Sequence, residues 1–151
     1  FRYPDTYFLE EKDLSSGKRT RYAIILTEDT AENRAVREGT APPREGPTAI
    51  TMDIFQNNLD NYTTENWIRR TNDSNFKLSS DGNLTGTFLG GEEAVTYGWS
   101  GLYEGESVVI ARPKFVYMFS VTYLTKEDAI RDDFAAILEN LRFTDGTPEL
   151  E

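Results

Sequence analysis

Residues 107–142 leave the chain few ways to fold. Over 115–123 the side chains alternate with a period of two, so Phe115, Tyr117, Phe119, Val121 and Tyr123 share one face of a strand. Val116, Met118, Ser120 and Thr122 share the other. Just before it, Ser107-Val108-Val109-Ile110-Ala111 reads as a shorter apolar strand, broken by Arg112-Pro113-Lys114. After Leu124 the period becomes helical: Ile130, Phe134, Ile137, Leu138 and Leu141 fall at i, i+4, i+7, i+8 and i+11 and form one stripe. Thr125 with Asp128 three residues on fits a helix-start box, in which hydroxyl and carboxylate satisfy free N–H groups. A single apolar stripe must be buried, and the ringed strand face is the nearest apolar surface. The expected fold is therefore α+β. Tyr97 and Trp99 are placed with the same rings, and the whole face reads as core rather than as a stacking platform for sugars or bases.

Elsewhere, strands are expected at 7–11, 22–26, 48–55, 84–89 and 94–100, with 22–26 apolar on both faces and so central. A short helix is expected over 64–72 around Trp67 and Ile68. Ser15-Ser16-Gly17-Lys18, Asp81-Gly82-Asn83, Gly90-Gly91 and Glu104-Gly105-Glu106 read as turns. The longest irregular stretch is 27–47, where Asp29 with Glu32 starts a short helix through Val36 before Gly39, Pro42, Pro43, Gly46 and Pro47 stop regular structure. No repeat, low-complexity tract or long linker divides the sequence, so 1–147 is expected to be one domain and 148–151 a tail, a remnant of cloning at Leu150-Glu151. The start at Phe1, without Met or a charged or apolar leader, is expected of a trimmed or mature form.

The most informative feature of the composition is an absence: among 151 residues there is no Cys and no His. Cys nucleophiles, Ser-His-Asp triads, disulfides, thiolate zinc sites and imidazole-ligated metals are excluded with them. A net charge of −10, with no basic run denser than Arg69-Arg70, argues against nucleic acid as a partner. No stretch approaches the roughly 18 apolar residues of a membrane span. No cofactor or metal is expected. Calcium takes oxygen ligands and escapes the His argument, but Asn72-Asp73-Ser74-Asn75 lacks the later Gly and Glu of an EF-hand, leaving only a weak loop site near Asp73 or Asp81.

Several short motifs carry a resemblance when taken in order. They are Phe1-x-Tyr3-Pro4-x-x-Tyr7, then Ile50-Thr51-Met52-Asp53-Ile54 followed by Thr64-Glu65-x-Trp67-Ile68. Gly91-Glu92-Glu93-Ala94, Val116-Tyr117-x-Phe119-Ser120-Val121 and Phe134-x-x-Ile137-Leu138-x-x-Leu141-Arg142-Phe143 complete the set. Together they cover nearly the whole chain and resemble PsbP-like domains. That resemblance implies a central antiparallel sheet with helices on both faces, an α/β/α sandwich. It also implies a docking role without a shared catalytic site, as in extrinsic proteins of photosystem II, bacterial secreted proteins and lipoproteins, and a distant eukaryotic relative that binds a small GTPase. The chain lacks the basic N-terminal segment and the His of the plant proteins, so no functional residue is carried over.

Two candidate sites follow. The 27–47 stretch offers Arg34, Arg37 and Arg44 as forks for partner carboxylates. The polar sheet face offers Thr51, Asp53, Thr96, Ser100, Ser120 and Thr122, with Asp53 its only charge; it is either solvated or, if concave and half covered, a pocket. The acidic pairs Glu10-Glu11, Glu92-Glu93, Glu104/Glu106 and Asp132-Asp133 read as solvated, since glycosidase carboxylates must oppose each other across a bond and strand neighbours point to opposite faces. The leading expectation is thus an extracytoplasmic, non-enzymatic docking module for a protein or envelope partner. Small-ligand binding around Asp53 is the alternative, and a carboxylate-dependent hydrolase the remote third.

Overall fold

Every alternating stretch is a strand, and the strands join into one sheet. The computed structural model describes residues 2–15, 20–39, 47–56, 62–71, 74–79 and 81–143. The expected Ser16-Gly17-Lys18 turn, Pro42, Pro43, Arg44 and Gly46, the Asn72-Asp73 pair and the 148–151 tail lie outside the described residues. The strands are β1 (Tyr7–Asp13), β2 (Arg21–Glu28), β3 (Ile50–Gln56), β4 (Thr85–Leu89), β5 (Glu92–Ser100), β6 (Glu104–Ala111) and β7 (Phe115–Tyr123). Helices α1 (Ala31–Glu38), α2 (Thr64–Arg70) and α3 (Ala129–Glu139) and a 3-10 turn at Asn75–Leu78 are the helical elements among the described residues. The sheet is seven-stranded in the order β1-β2-β3-β7-β6-β5-β4, and every neighbouring pair is antiparallel. The α+β class expected from the sequence is therefore present. Among the described residues no helix is long and apolar enough to cross a membrane.

Two apolar clusters form. In the first, Ile130, Phe134, Ile137 and Leu141 from and just after α3 pack with Phe119, Val121 and Tyr123 of β7, Ile50 and Met52 of β3, and Val108 and Ile110 of β6. Phe119 and Tyr123 are buried, and Tyr117 lies half-buried under Phe143 with ring centroids 4.9 Å apart. The amphipathic stripe thus covers the ringed face as expected. At the far edge, Tyr7 Oη donates to Asp133 Oδ2 at 2.7 Å and ties β1 to α3. Burial first, then the Asp133 carboxylate, push that phenol well above its ordinary range. In the second cluster Trp67 and Ile68 of α2 pack with Phe55, Tyr97, Val109, Val116 and Met118, and Trp99 packs against them.

That second cluster corrects one expectation: Tyr97 and Trp99 do not belong with Phe115, Tyr117 and Phe119. Register decides it. Tyr97 pairs with Ser107, Ser107 with Ser120, and Ser120 sits on the β7 face opposite Phe119. Three local readings also change. Glu104-Gly105-Glu106 is not a turn but the start of β6, with Gly105 paired to Trp99. The helix in the 27–47 stretch runs to Glu38, capped by Thr30 Oγ1, which accepts from Asn33 N at 3.1 Å, and closed by Gly39 at φ 75°. Asp128 serves the turn before α3 rather than the helix itself: its carboxylate accepts from the N–H groups of Leu124 and Thr125 and from the Thr125 hydroxyl, and α3 begins at Ala129.

Gly105 has a specific reason to be glycine. The Trp99 indole lies across it, and an added Cβ would overlap ring atoms Cε2, Cζ2 and Cδ2. Gly105→Ala is expected to lower stability by about 1–3 kcal/mol, the usual cost of overpacking. Gly86→Ala, where a Cβ meets nothing within 4 Å, should stay within about 0.5 kcal/mol. Urea denaturation of the two variants checks the contrast; equal midpoints would show that Trp99 does not need the glycine.

Candidate functional site

Asp53 is the centre of the site because it breaks the pattern of its strand. It lies on β3 between Met52 and Ile54, yet it is 3% exposed. A buried carboxylate needs a counter-charge or hydrogen bonds. Arg21, at the start of β2, supplies both: its Nε and Nη2 donate to Asp53 Oδ1 at 3.0 and 2.8 Å. The guanidinium also lies 5.4 Å from the centroid of the Phe55 ring, with its side chain 41% exposed at the mouth of the site. Both donors take the same oxygen. Among the described residues, Oδ2 has no hydrogen-bond partner. Burial pushes the Asp53 carboxyl above its ordinary value, and the Arg21 hydrogen bond and charge recover only part of the shift.

Antiparallel register gathers the other polar groups. Thr51 pairs with Ser120 and Asp53 with Met118, while Thr122 Oγ1 accepts from Ala49 N at 2.8 Å one step along. These residues floor a cavity of about 190 Å³, which Arg21, Asn75 and Trp99 wall. Beneath the wall is a buried hydroxyl relay. Ser107 Oγ and Ser120 Oγ share a hydrogen bond at 2.7 Å, Trp99 Nε1 donates to Ser107 Oγ at 2.9 Å, and Asn75 Nδ2 reaches both serines at 3.4 and 3.5 Å. Asn75 N donates in turn to Tyr97 Oη at 3.2 Å, so the 3-10 turn is fastened over the sheet. A larger hollow of about 430 Å³ beside β4 and β5, lined by Thr64, Phe88 and Glu93 among others, gathers no such set of convergent polar groups.

Of the residues expected on the polar face, Thr51, Asp53, Ser120 and Thr122 come together in the cavity. Ser100 does not: it is exposed and donates to Glu104 Oε2 at 2.8 Å, and Thr96 donates to the Ser107 carbonyl at 2.9 Å. By the register that moves Tyr97 and Trp99, both sit on the opposite face of the sheet. Arg21, Asn75 and Trp99 were missed. The available signal for Arg21 was that a carboxylate placed in an apolar strand requires a cation, and Arg21 shares strand parity with the apolar Ala23 and Ile25. The loop arginines are engaged within the chain. Arg34 Nε lies 3.1 Å and Arg37 Nη2 3.6 Å from Asp29 Oδ1, and Arg37 stacks 3.5 Å from the centroid of Phe8; Arg44 is outside the described residues.

The acidic pairs also have local partners: Glu92 with Arg112, Glu106 with Arg131, and Asp133 with Tyr7. Among the described residues no group of three or more Asp or Glu is placed to hold a metal ion. The Asp81 carboxylate is used within its own turn, accepting from Asn83 N and Ser79 Oγ. Compared with family models, curated proteins and solved structures, the chain matches none of them.

The sign of the Asp53 shift sets a pH test. Because the folded carboxyl titrates above the unfolded one, ionisation is favoured in the unfolded chain, and stability from this group falls as pH rises from ~4 through the raised value. Removing Arg21 raises that folded value further. Arg21→Ala is therefore expected to cost about 1–3 kcal/mol at pH 7, where Asp53 is left as an unpaired buried charge, and clearly less near pH 3.5. Thermal melts across pH check it, and a pH-independent cost would exclude the pair as the cause.

Proposed function

We propose that this protein is a non-enzymatic module that binds a small polar ligand in the cavity around Asp53. The observation that carries the reading is a buried carboxylate whose Oδ2 has no hydrogen-bond partner among the described residues and which lines a cavity with Thr51, Ser120 and Asn75. Concave sites with a few convergent polar groups and a perturbed titratable residue are where ligands bind. Binding rather than conversion is proposed because, among the described residues, the lining includes a single carboxylate and that one is held by Arg21, whereas paired-carboxylate hydrolysis needs two opposed groups. The PsbP-like resemblance, the three-layer sandwich with helices on both faces and an extracytoplasmic setting belong to the same proposal. The ordered motifs support the resemblance and the setting it implies, and the separate apolar clusters of α2 and α3 support the layering. Docking to a protein partner through Arg34 and Arg37 is placed second, since both arginines already pair with Asp29.

A thermal-shift screen of small polar compounds tests the reading. A binder is expected to raise the melting temperature of the wild type, to lose at least tenfold in affinity with Asp53→Asn, and to be unaffected by Arg34→Ala. Binders that act equally on wild type and Asp53→Asn would remove the cavity as the site.

A further inference from the structure

The sheet has two outer strands, and they are built differently. On β1 Glu10, Glu11, Lys12 and Asp13 are charged, which is how natural edges discourage another strand from adding. On β4, Thr85-Gly86-Thr87-Phe88-Leu89, no residue is charged and none is proline. Among the described residues β4 pairs with β5 alone. Phe88 is 73% exposed, more than any other large apolar side chain among those residues. Left in water, that ring forfeits most of its burial energy.

Backbone geometry fixes what the β4 edge presents. Gly90 and Gly91, at φ 58° and 82°, form a two-residue primed turn whose hydrogen bond joins Leu89 to Glu92. Bonding alternates along an antiparallel pair, so Leu89, Thr87 and Thr85 bond to β5, while Gly86 and Phe88 turn their N–H and C=O groups outward. Within β4, one antiparallel pairing with a second β4 uses all of these outward groups. Thr87 stands opposite Thr87, and Gly86 of each copy stands opposite Phe88 of the other, exchanging both N–H···O bonds.

The side chains agree with that register. Gly86 and Phe88 lie two apart and share a face with Val95, which packs against the α2 cluster. A Cβ at Gly86 would meet nothing within 4 Å, and Gly86 lines the hollow of about 430 Å³ beside β4 and β5. The pairing sets the Phe88 ring of each copy over this gap in the other, the aromatic cover that an edge glycine lacks. Charge agrees as well. At a net −10, copies of this chain repel, so they meet best where charge is sparse, and β4 is the edge that offers it. We infer that β4 pairs antiparallel with β4 of a second copy about a two-fold axis at Thr87, so that one sheet runs through both molecules. A contact of one short strand pair is below the roughly 1,200 Å² of standard interfaces, so the dimer is weak, with a Kd on the order of 0.1 mM. The inference concerns a surface apart from the Asp53 cavity and does not rest on the ligand-site reading.

Sedimentation equilibrium from about 10 μM to about 1 mM tests it. The wild type is expected to rise from the monomer mass towards twice that mass. Phe88→Lys is expected to stay monomeric throughout with an unchanged melting temperature, since the replaced ring is exposed. The chain has no Cys, so a single introduced thiol reports the register. Thr87→Cys brings two thiols across a close non-hydrogen-bonded pair and is expected to cross-link into a disulfide dimer in air with a copper catalyst. Glu11→Cys on β1, treated alike, is expected not to. A wild type that stays monomeric, with Thr87→Cys uncross-linked, would overturn the inference and leave the edge to a different chain. A dimer that survives Phe88→Lys would overturn it too, as would one that Thr87→Cys fails to trap.

Discussion

The pairing of β3 with β7 is the constraint on which the molecule depends. It joins strands further apart in sequence than any other neighbouring pair of the sheet, and every other strand is added outward from that pair. Each partner is apolar on one face and mixed on the other. Ile50 and Met52 join Val121 and Phe119 beneath α3, while Thr51 and Asp53 join Ser120 and Met118. Forming the ladder in this register makes both a dry core and a polar floor in one step. A slip by one residue would send Asp53 into the α3 cluster and expose Met52, a change strongly opposed by charge burial and lost apolar contact together.

The polar floor is costly to keep. Asp53 is nearly as well buried as the apolar residues around it, and Arg21 satisfies only one of its oxygens. An apolar replacement of similar size would often be neutral or stabilising at such a position. Features that break a local folding rule without an evident structural return are expected to be functional. The Ser107–Ser120 relay, the Trp99 N–H and the Asn75 amide beside it are mutually bonded, so the walls of the cavity hold one another in place.

Trp99 joins fold and site. Gly105 lets the indole lie against β6, and this placement lets the same ring reach Ser107 and wall the cavity. A bulkier residue at 105 would therefore change both packing and the shape of the site. The loop arginines show the opposite case. Arg34 and Arg37 look available in sequence but are drawn onto Asp29 and Phe8 by the helix that forms there, a local event favoured by the Thr30 cap and the Gly39 stop.

Much was legible in the sequence because it was local. Period-two alternation over 115–123, the stripe from Ile130 to Leu141 and the choice of Asp53 as the one charge on a polar face all follow from spacing along a single element. Tertiary structure alone decided which faces met. Whether Tyr97 and Trp99 join the rings or the serines depends on a register passed through β6, and parity within a strand carries no information about its neighbour's phase. Arg21 and Asn75 come to Asp53 from elements distant in sequence, placed there by strand order and by the 3-10 turn. The sequence by itself determined an α+β chain with one amphipathic helix and a carboxylate where an apolar residue would be cheaper. Only the packed sheet determined that this carboxylate has an arginine on one oxygen and lines a cavity that an indole from another strand also lines.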